Sequence, residues 1–213
     1  MQFKKQIFNN LKNSIENQHK TSRLMVVSKN RPTVIINEII KEGNILFGEN
    51  KVQEAEAKFQ EIRKLNKTIE LHLIGPLQTN KVKQALKIFD IIQTIDREKL
   101  VNEISKELLK SKLLKKFYIQ VNIGREDQKS GIDPERLIHL YDYSLSKGLD
   151  VVGLMCIPPN NKNPEIYFKK LVELRDSINP KLLLSMGMSA DYREALKFKS
   201  DIIRIGSLLF QDD

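Results

Sequence analysis

Apolar positions along the chain fall into two alternating patterns. Short runs rich in β-branched residues read as buried strands, and longer stretches with apolar residues three or four apart read as amphipathic helices. The strand-like runs are eight: "LMVVS" (24–28), "ILFGE" (45–49), "LHLIG" (71–75), "IIQTI" (91–95), "FYIQVNI" (117–123), "VVGLMCI" (151–157), "LLLSMG" (182–187) and "DIIRIG" (201–206). A helical pattern over residues 2–19 precedes them, and no Gly/Ser linker or low-complexity segment interrupts the alternation.

Helix-end chemistry supports these boundaries. "PTVIINEIIKEG", Pro32 to Gly43, opens on proline and stops on glycine, the asymmetry that helix ends prefer. "DPERLIHLYDYSLSKG" places Asp133 as N-cap, Pro134 at the first helical position and Gly148 as the stop,. Strand and helix alternating in this way give parallel strands joined by crossover helices. Eight evenly spaced units close most economically into a (β/α)8 TIM barrel, read here as a single domain over residues 1–213,. A doubly wound open sheet is the alternative, but it needs a reversal of strand order that the even spacing does not mark.

Composition narrows the function classes. The chain has 213 residues, 40% of them hydrophobic, enough for one substantial core,. No stretch approaches the roughly 20 apolar residues of a spanning helix, and "MQFKKQIFNN" lacks a signal-peptide apolar region, so a soluble cytoplasmic protein is expected. Cys156 is the one cysteine, and His19, His72 and His139 show no metal-ligand spacing,. The net charge of +9 raises a nucleic-acid reading,. Its densest run, "KELLKSKLLKK" from Lys106 to Lys116, sets lysines between leucines at helical spacing, as a solvated helix face would,.

In a (β/α)8 barrel the chemistry sits where the strands end and the βα loops begin. Those positions hold Ser28 and Lys29; Gly48, Glu49 and Asn50; Gly75; Asn122; "LMCIP"; "SMGMS"; and Arg204, Gly206 and Ser207. Loops after the seventh and eighth barrel strands commonly build a phosphate site. "SMGMSAD" and "RIGS" each pair a glycine with a hydroxyl, and Asp191 is placed to cap the helix "YREALKF",. One such pair is ordinarily a turn; two on adjacent strands point to phosphate.

Lys29 gains meaning beside that site. A strand-end lysine ordinarily carries its ammonium into water. Partly desolvated or near other cations, it falls below the model value of about 10.4 and can form a Schiff base. An amine next to a phosphate cradle calls for a phosphorylated aldehyde, either pyridoxal 5'-phosphate (PLP) or a sugar phosphate. Arg204 could donate to a pyridine nitrogen or bind a substrate anion, and position alone does not separate these.

The motifs "VVSKNRP", "LFGENKVQEAEAK", "LHLIGPLQTNK", "QVNIGREDQKSGI", "GLMCIPP", "LSMGMSADYREAL" and "IIRIGSLLF", in this order and spacing, resemble the YggS/PROSC family of PLP homeostasis proteins. That family's fold resembles the barrel domain of alanine racemase. The resemblance implies that Lys29 forms the internal aldimine with PLP and Arg204 approaches the pyridine nitrogen. It implies that Ser189, Gly206 and Ser207 hold the phosphate, that Asn50 and Met155 line the ring pocket, and that Ser185 and Met186 stand behind them. Asn80 and Lys81, in "QTNK", would add a further basic contact to phosphate.

Three positions depart from the family pattern: Leu71 where an aromatic is common, Lys199 where glycine often stands, and the ending "LFQDD". The implied role is to bind, store or deliver PLP and so balance vitamin B6 and amino-acid pools, without efficient catalysis. PLP-dependent apo-enzymes are possible partners, and neither nucleic acid nor membrane is. Racemases of related fold use a second base, a tyrosine from an additional β-domain, and the chain as read carries no such domain, so a monomer is expected. Tyr192, beside "SMGMSAD", is the tyrosine to examine for the alternative reading, an amino-acid racemase,.

Overall fold

The computed structural model describes residues 2–160 and 162–211. Eight parallel strands close into a barrel in sequential order: β2 (Arg23–Val27), β3 (Leu46–Glu49), β4 (Glu70–Leu73), β5 (Ile91–Ile95), β6 (Lys116–Val121), β7 (Asp150–Cys156), β8 (Leu183–Ser185) and β9 (Ile202–Ile205). Closure is made by β9 returning to β2, with Arg23 opposite Ile202 and Met25 opposite Arg204. The barrel expected from the alternation is therefore present, and each of the eight runs supplies one strand.

Helices α1 (Lys5–Gln18), α2 (Thr33–Lys41), α3 (Val52–Leu65), α4 (Val82–Ile88), α5 (Glu98–Ser111), α6 (Leu137–Ser146), α7 (Pro164–Ile178) and α8 (Tyr192–Lys197) complete the alternation. Side chains alternate across each strand. Outward residues such as Val26, Phe47, Leu71, Leu73, Phe117, Ile119, Leu184 and Ile203 join the helices in one large apolar core. Met25, Leu46, Tyr118, Met155 and Ile202 form a separate cluster inside the barrel. Leu71 is fully buried on the outward side, so its departure from the family pattern is a matter of packing.

The ends differ from the sequence reading in one respect. The first helix begins at Lys5, because Gln2–Phe3 (β1) pairs antiparallel with Phe210–Gln211 (β10). Gln211 thus closes the fold through its backbone. Phe3 also packs against Phe8 of α1, ring centroids 5.7 Å apart, which ties both termini over the same helix,.

Three helices end alike, and one ending is unusual. In α2 the N–H of Gly43 donates to Ile40 O and that of Asn44 to Ile39 O; in α6 Gly148 donates to Leu145 O and Leu149 to Ser144 O. Both are Schellman endings with glycine in the left-handed conformation, φ +81° and +80°,. After α8 the same bonds run from Lys199 to Leu196 O and from Ser200 to Ala195 O, but the left-handed position, φ +55°, is held by Lys199. The geometry supplies the reason for glycine at this place. Lys199→Gly removes the steric cost of a side chain at positive φ, so it is expected to raise stability by up to about 1 kcal/mol in urea denaturation; an unchanged or lower midpoint would contradict this.

Candidate functional site

Lys29 lies two residues beyond β2, in a tight turn rather than on the strand. The Arg31 N–H donates to Ser28 O at 3.1 Å, and Asn30, the third residue of the turn, has φ +57°, a conformation asparagine tolerates. Lys29 is exposed. Of the two conditions set for it from the sequence, partial desolvation or neighbouring cations, the first is therefore not met; what distinguishes it is the rigidity of the turn that carries it.

That rigidity comes from a buried ionic cluster. Lys58, on α3, donates from Nζ to Ser28 O at 2.7 Å and to Glu54 Oε1 at 2.7 Å. It also pairs with Glu49 Oε1, at the end of β3, at 2.7 Å. The Ser28 hydroxyl donates to Glu49 at 2.7 Å, and the Asn30 N–H to Glu54. Burial pushes the Glu49 carboxyl up, opposed by the hydrogen bonds from Lys58 and Ser28. Burial also raises Glu54, but Lys58 and the Asn30 N–H outweigh it and hold this carboxyl below its usual value. Both neighbours of Lys29 in sequence are thus fixed from beneath.

Arg204 stands on β9, next to β2, and is buried inside the barrel. Its Nη1 donates to Ser185 O at 2.6 Å and Ser185 Oγ at 2.9 Å, and its Nη2 to Cys156 O at 2.8 Å. Nε, the third donor-bearing nitrogen, makes no hydrogen bond among the described residues. Met155, preceding Cys156, is buried in the interior cluster. Met155 stands opposite Ser185 on the neighbouring strand, and Ser185 is therefore brought to Arg204. Met186 is not: by strand alternation its side chain enters the core between barrel and helices, and only its backbone, held by Ser200, belongs to this end of β8.

The turns after β8 and β9 lie side by side. Ser189 is half-buried, Gly206 is half-buried, and Ser207 is exposed. The backbone N–H groups of Ser189, Ala190 and Gly206 have no acceptor among the described residues. Asp191 does not cap α8 with its side chain; its Oδ1 accepts from the Met188 N–H at 2.6 Å, closing the preceding turn. Among the described residues, the buried amide oxygen of Asn50, just past β3, has no hydrogen-bond partner, nor has the neighbouring Glu49 Oε2. A Cβ at Gly75 would lie 2.2 Å from Asn50 O, so only glycine lets the β4 loop approach this close. Asn80 and Lys81 fall in a 3-10 turn at Thr79–Lys81, Asn80 exposed; among the described residues no side-chain hydrogen bond or ion pair joins them to the other site residues.

Orphaned polar atoms at Asn50, an unengaged Nε on Arg204 and two turns of unpaired N–H groups fit an anionic heterocycle carrying phosphate, and PLP has those features. A cavity of about 810 Å³ opens at the opposite mouth of the barrel, lined among others by Arg23, Glu70, His72, Lys116 and Lys181. It is separate from the rim residues. The basic run also disperses: α5 ends at Ser111, Lys106 and Lys110 face Glu103 and Glu107, and the Lys115 ammonium caps Phe89 O.

Comparison with known proteins places the chain. A family model described as "Alanine racemase, N-terminal domain" matches residues 4–213. A pyridoxal phosphate homeostasis protein of Aquifex aeolicus is 40% identical over 198 residues, covering 89% of this chain and 86% of its own. The chain belongs to the pyridoxal phosphate homeostasis family. A family member from Schizosaccharomyces pombe is 33% identical over 200 residues, with 88% of this chain and 82% of its own covered. PipY of Synechococcus elongatus with PLP bound matches with a TM-score of 0.81 at 32% identity, over 96% of this chain and 100% of that one. Alanine racemase of Clostridium difficile, at 13% identity and a TM-score of 0.75, covers 97% of this chain and 56% of its own, a likeness of fold alone.

The sequence reading missed Lys58, Gln93 and His72. Each carried a signal: Lys58 sits on the apolar stripe of α3 between Ala55, Phe59 and Ile62, and Gln93 and His72 are polar residues at inward positions of buried strands. Removing one partner of a buried ion pair strands the other. Lys58→Met is expected to cost about 3 kcal/mol in denaturant unfolding, and Lys58→Met/Glu49→Gln to recover more than half; equal losses in both would contradict the pairing.

Proposed function

We propose that this protein binds PLP at the C-terminal rim of the barrel, as a Schiff base on Lys29, and serves PLP and amino-acid homeostasis without efficient catalysis of its own. The observation that carries the reading is the Arg204 guanidinium, held by two nitrogens and left with Nε unengaged, on the strand beside the Lys29 turn. In forming the bond, the neutral Lys29 amine adds to the aldehyde carbon, water leaves, and a C=N bond replaces C=O. The Ser189–Ala190 and Gly206–Ser207 turns would take the phosphate through their N–H groups. Asn50 and Met155 would border the ring.

Bound PLP supplies an electron sink whose strength follows the protonation of its ring nitrogen. Arginine holds its proton and only donates. Arg204 thus favours an unprotonated ring nitrogen and a weak sink.

The racemase alternative needs a second base on the far face. Tyr192 does not offer one: its ring belongs to the apolar core, and its hydroxyl accepts from Arg193 Nε at 3.2 Å. Burial pushes the Cys156 thiol up to about 12, which removes it as a base near neutral pH. The curated relatives carry the name of homeostasis proteins.

Purified protein mixed with PLP is expected to develop a visible absorption band, and Lys29→Ala to remain colourless while keeping the wild-type circular dichroism. Wild-type protein that takes up no PLP would overturn the reading. Turnover of amino acids by the loaded protein, abolished by Lys29→Ala, would favour the racemase instead.

A further inference from the structure

The inside of the barrel carries a continuous polar line that the site just described does not account for. Ser185 Oγ and Gln93 Oε1 are 2.7 Å apart, Gln93 Nε2 and His72 Nδ1 2.7 Å, and His72 Nε2 and Glu70 Oε1 2.6 Å. Arg23 then meets Glu70 through Nη1 at 3.1 Å and Nη2 at 2.8 Å. The line starts at Arg204 near the rim and ends in the cavity at the opposite mouth. Ser185, Gln93 and His72 are all fully buried.

Its direction follows from which groups can only donate. Arg204 cannot accept, so Ser185 Oγ accepts from it and must send its single proton to Gln93 Oε1. The Gln93 amide then turns its NH2 toward His72, whose Nδ1 must bear a lone pair. A neutral imidazole in that state carries its proton on Nε2 and donates to Glu70. Arg23, at the far end, also only donates. Glu70, an acceptor with two oxygens, is where the two opposed runs of donors meet. A proton on Nδ1 would set donor against donor, and turning the Gln93 amide over would leave the Ser185 hydroxyl accepting from both sides with its own proton unpartnered.

We propose that Ser185, Gln93 and His72 form a one-way hydrogen-bond relay that positions Arg204, with neutral His72 and the Glu70–Arg23 pair as its anchor. The proposal deepens the PLP reading and rests on it for its consequence at the cofactor. His72 and Gln93 act through Ser185 and do not touch the bound group; they are positioning residues. Burial lowers the basicity of His72 against the pull of Glu70, with Arg23 lowering it further and Asp90 raising it, in keeping with a neutral ring.

Two measurements test the relay. In 15N-resolved NMR of the wild-type protein without PLP, His72 is expected as the neutral Nε2–H tautomer at neutral pH; an Nδ1–H tautomer or an imidazolium would overturn the relay. Gln93→Leu removes both links; with folding verified by circular dichroism, it is expected to lose PLP about tenfold faster and to shift the pH at which the loaded protein's absorbance titrates. Gln93→Glu preserves polarity should the leucine variant not fold, and is expected to bring a proton onto Nδ1 of His72. Wild-type loading with Gln93 variants that match it in retention, pH titration and His72 tautomer would overturn the relay and leave the PLP reading intact. Wild-type protein that never loads PLP would overturn both.

Discussion

A guanidinium at 3% exposure holds its charge and must find acceptors inside the barrel,. Arg204 finds them in two strand carbonyls, Ser185 O and Cys156 O, and one hydroxyl, Ser185 Oγ. Because Ser185 must then pass its proton on, the demand propagates through Gln93 and His72 to Glu70. The closed sheet makes this possible: residues from β4, β5, β8 and β9 meet across its interior,. Apolar side chains fill the remainder, Met25, Tyr118 and Met155 among them. The rim chemistry therefore rests on the polarity of the core beneath it.

Lys29 is held by the opposite strategy. Its own side chain stays exposed, while Ser28 and Asn30 on either side are fastened by Lys58, Glu49 and Glu54. On the proposed reading, an amine that meets an incoming aldehyde needs access, and a fixed turn limits the conformations to be lost on bond formation. One side of the site is thus a buried cation with an assigned set of acceptors, and the other is a free amine on an immobilised backbone.

Much of the fold was legible because its strands are apolar runs and its helices carry their own punctuation. Gly43 and Gly148 stop helices where their left-handed backbone requires. Lys199 could be marked only as a departure from a family pattern; its φ of +55° puts it at the third such position. Rim membership was legible for Arg204, Ser185 and Ser189, whose strands end where barrel chemistry sits. Side-chain direction was less so. Met186 was grouped with Ser185, although adjacent strand residues face opposite ways, and Lys29 was placed at the end of its strand although the strand stops at Val27. Gln93, His72 and Lys58 were passed over because each is a single polar residue in an apolar pattern. Their meaning depends on partners 92, 21 and 30 residues away, which no local pattern reveals.

The central claim is that Lys29 is the residue to which PLP becomes attached. Reduction of PLP-treated protein with borohydride, followed by peptide mass mapping, reads this directly. The account predicts one phosphopyridoxyl group per chain, carried on Lys29. The same group recovered chiefly on another lysine, or on none, would contradict it.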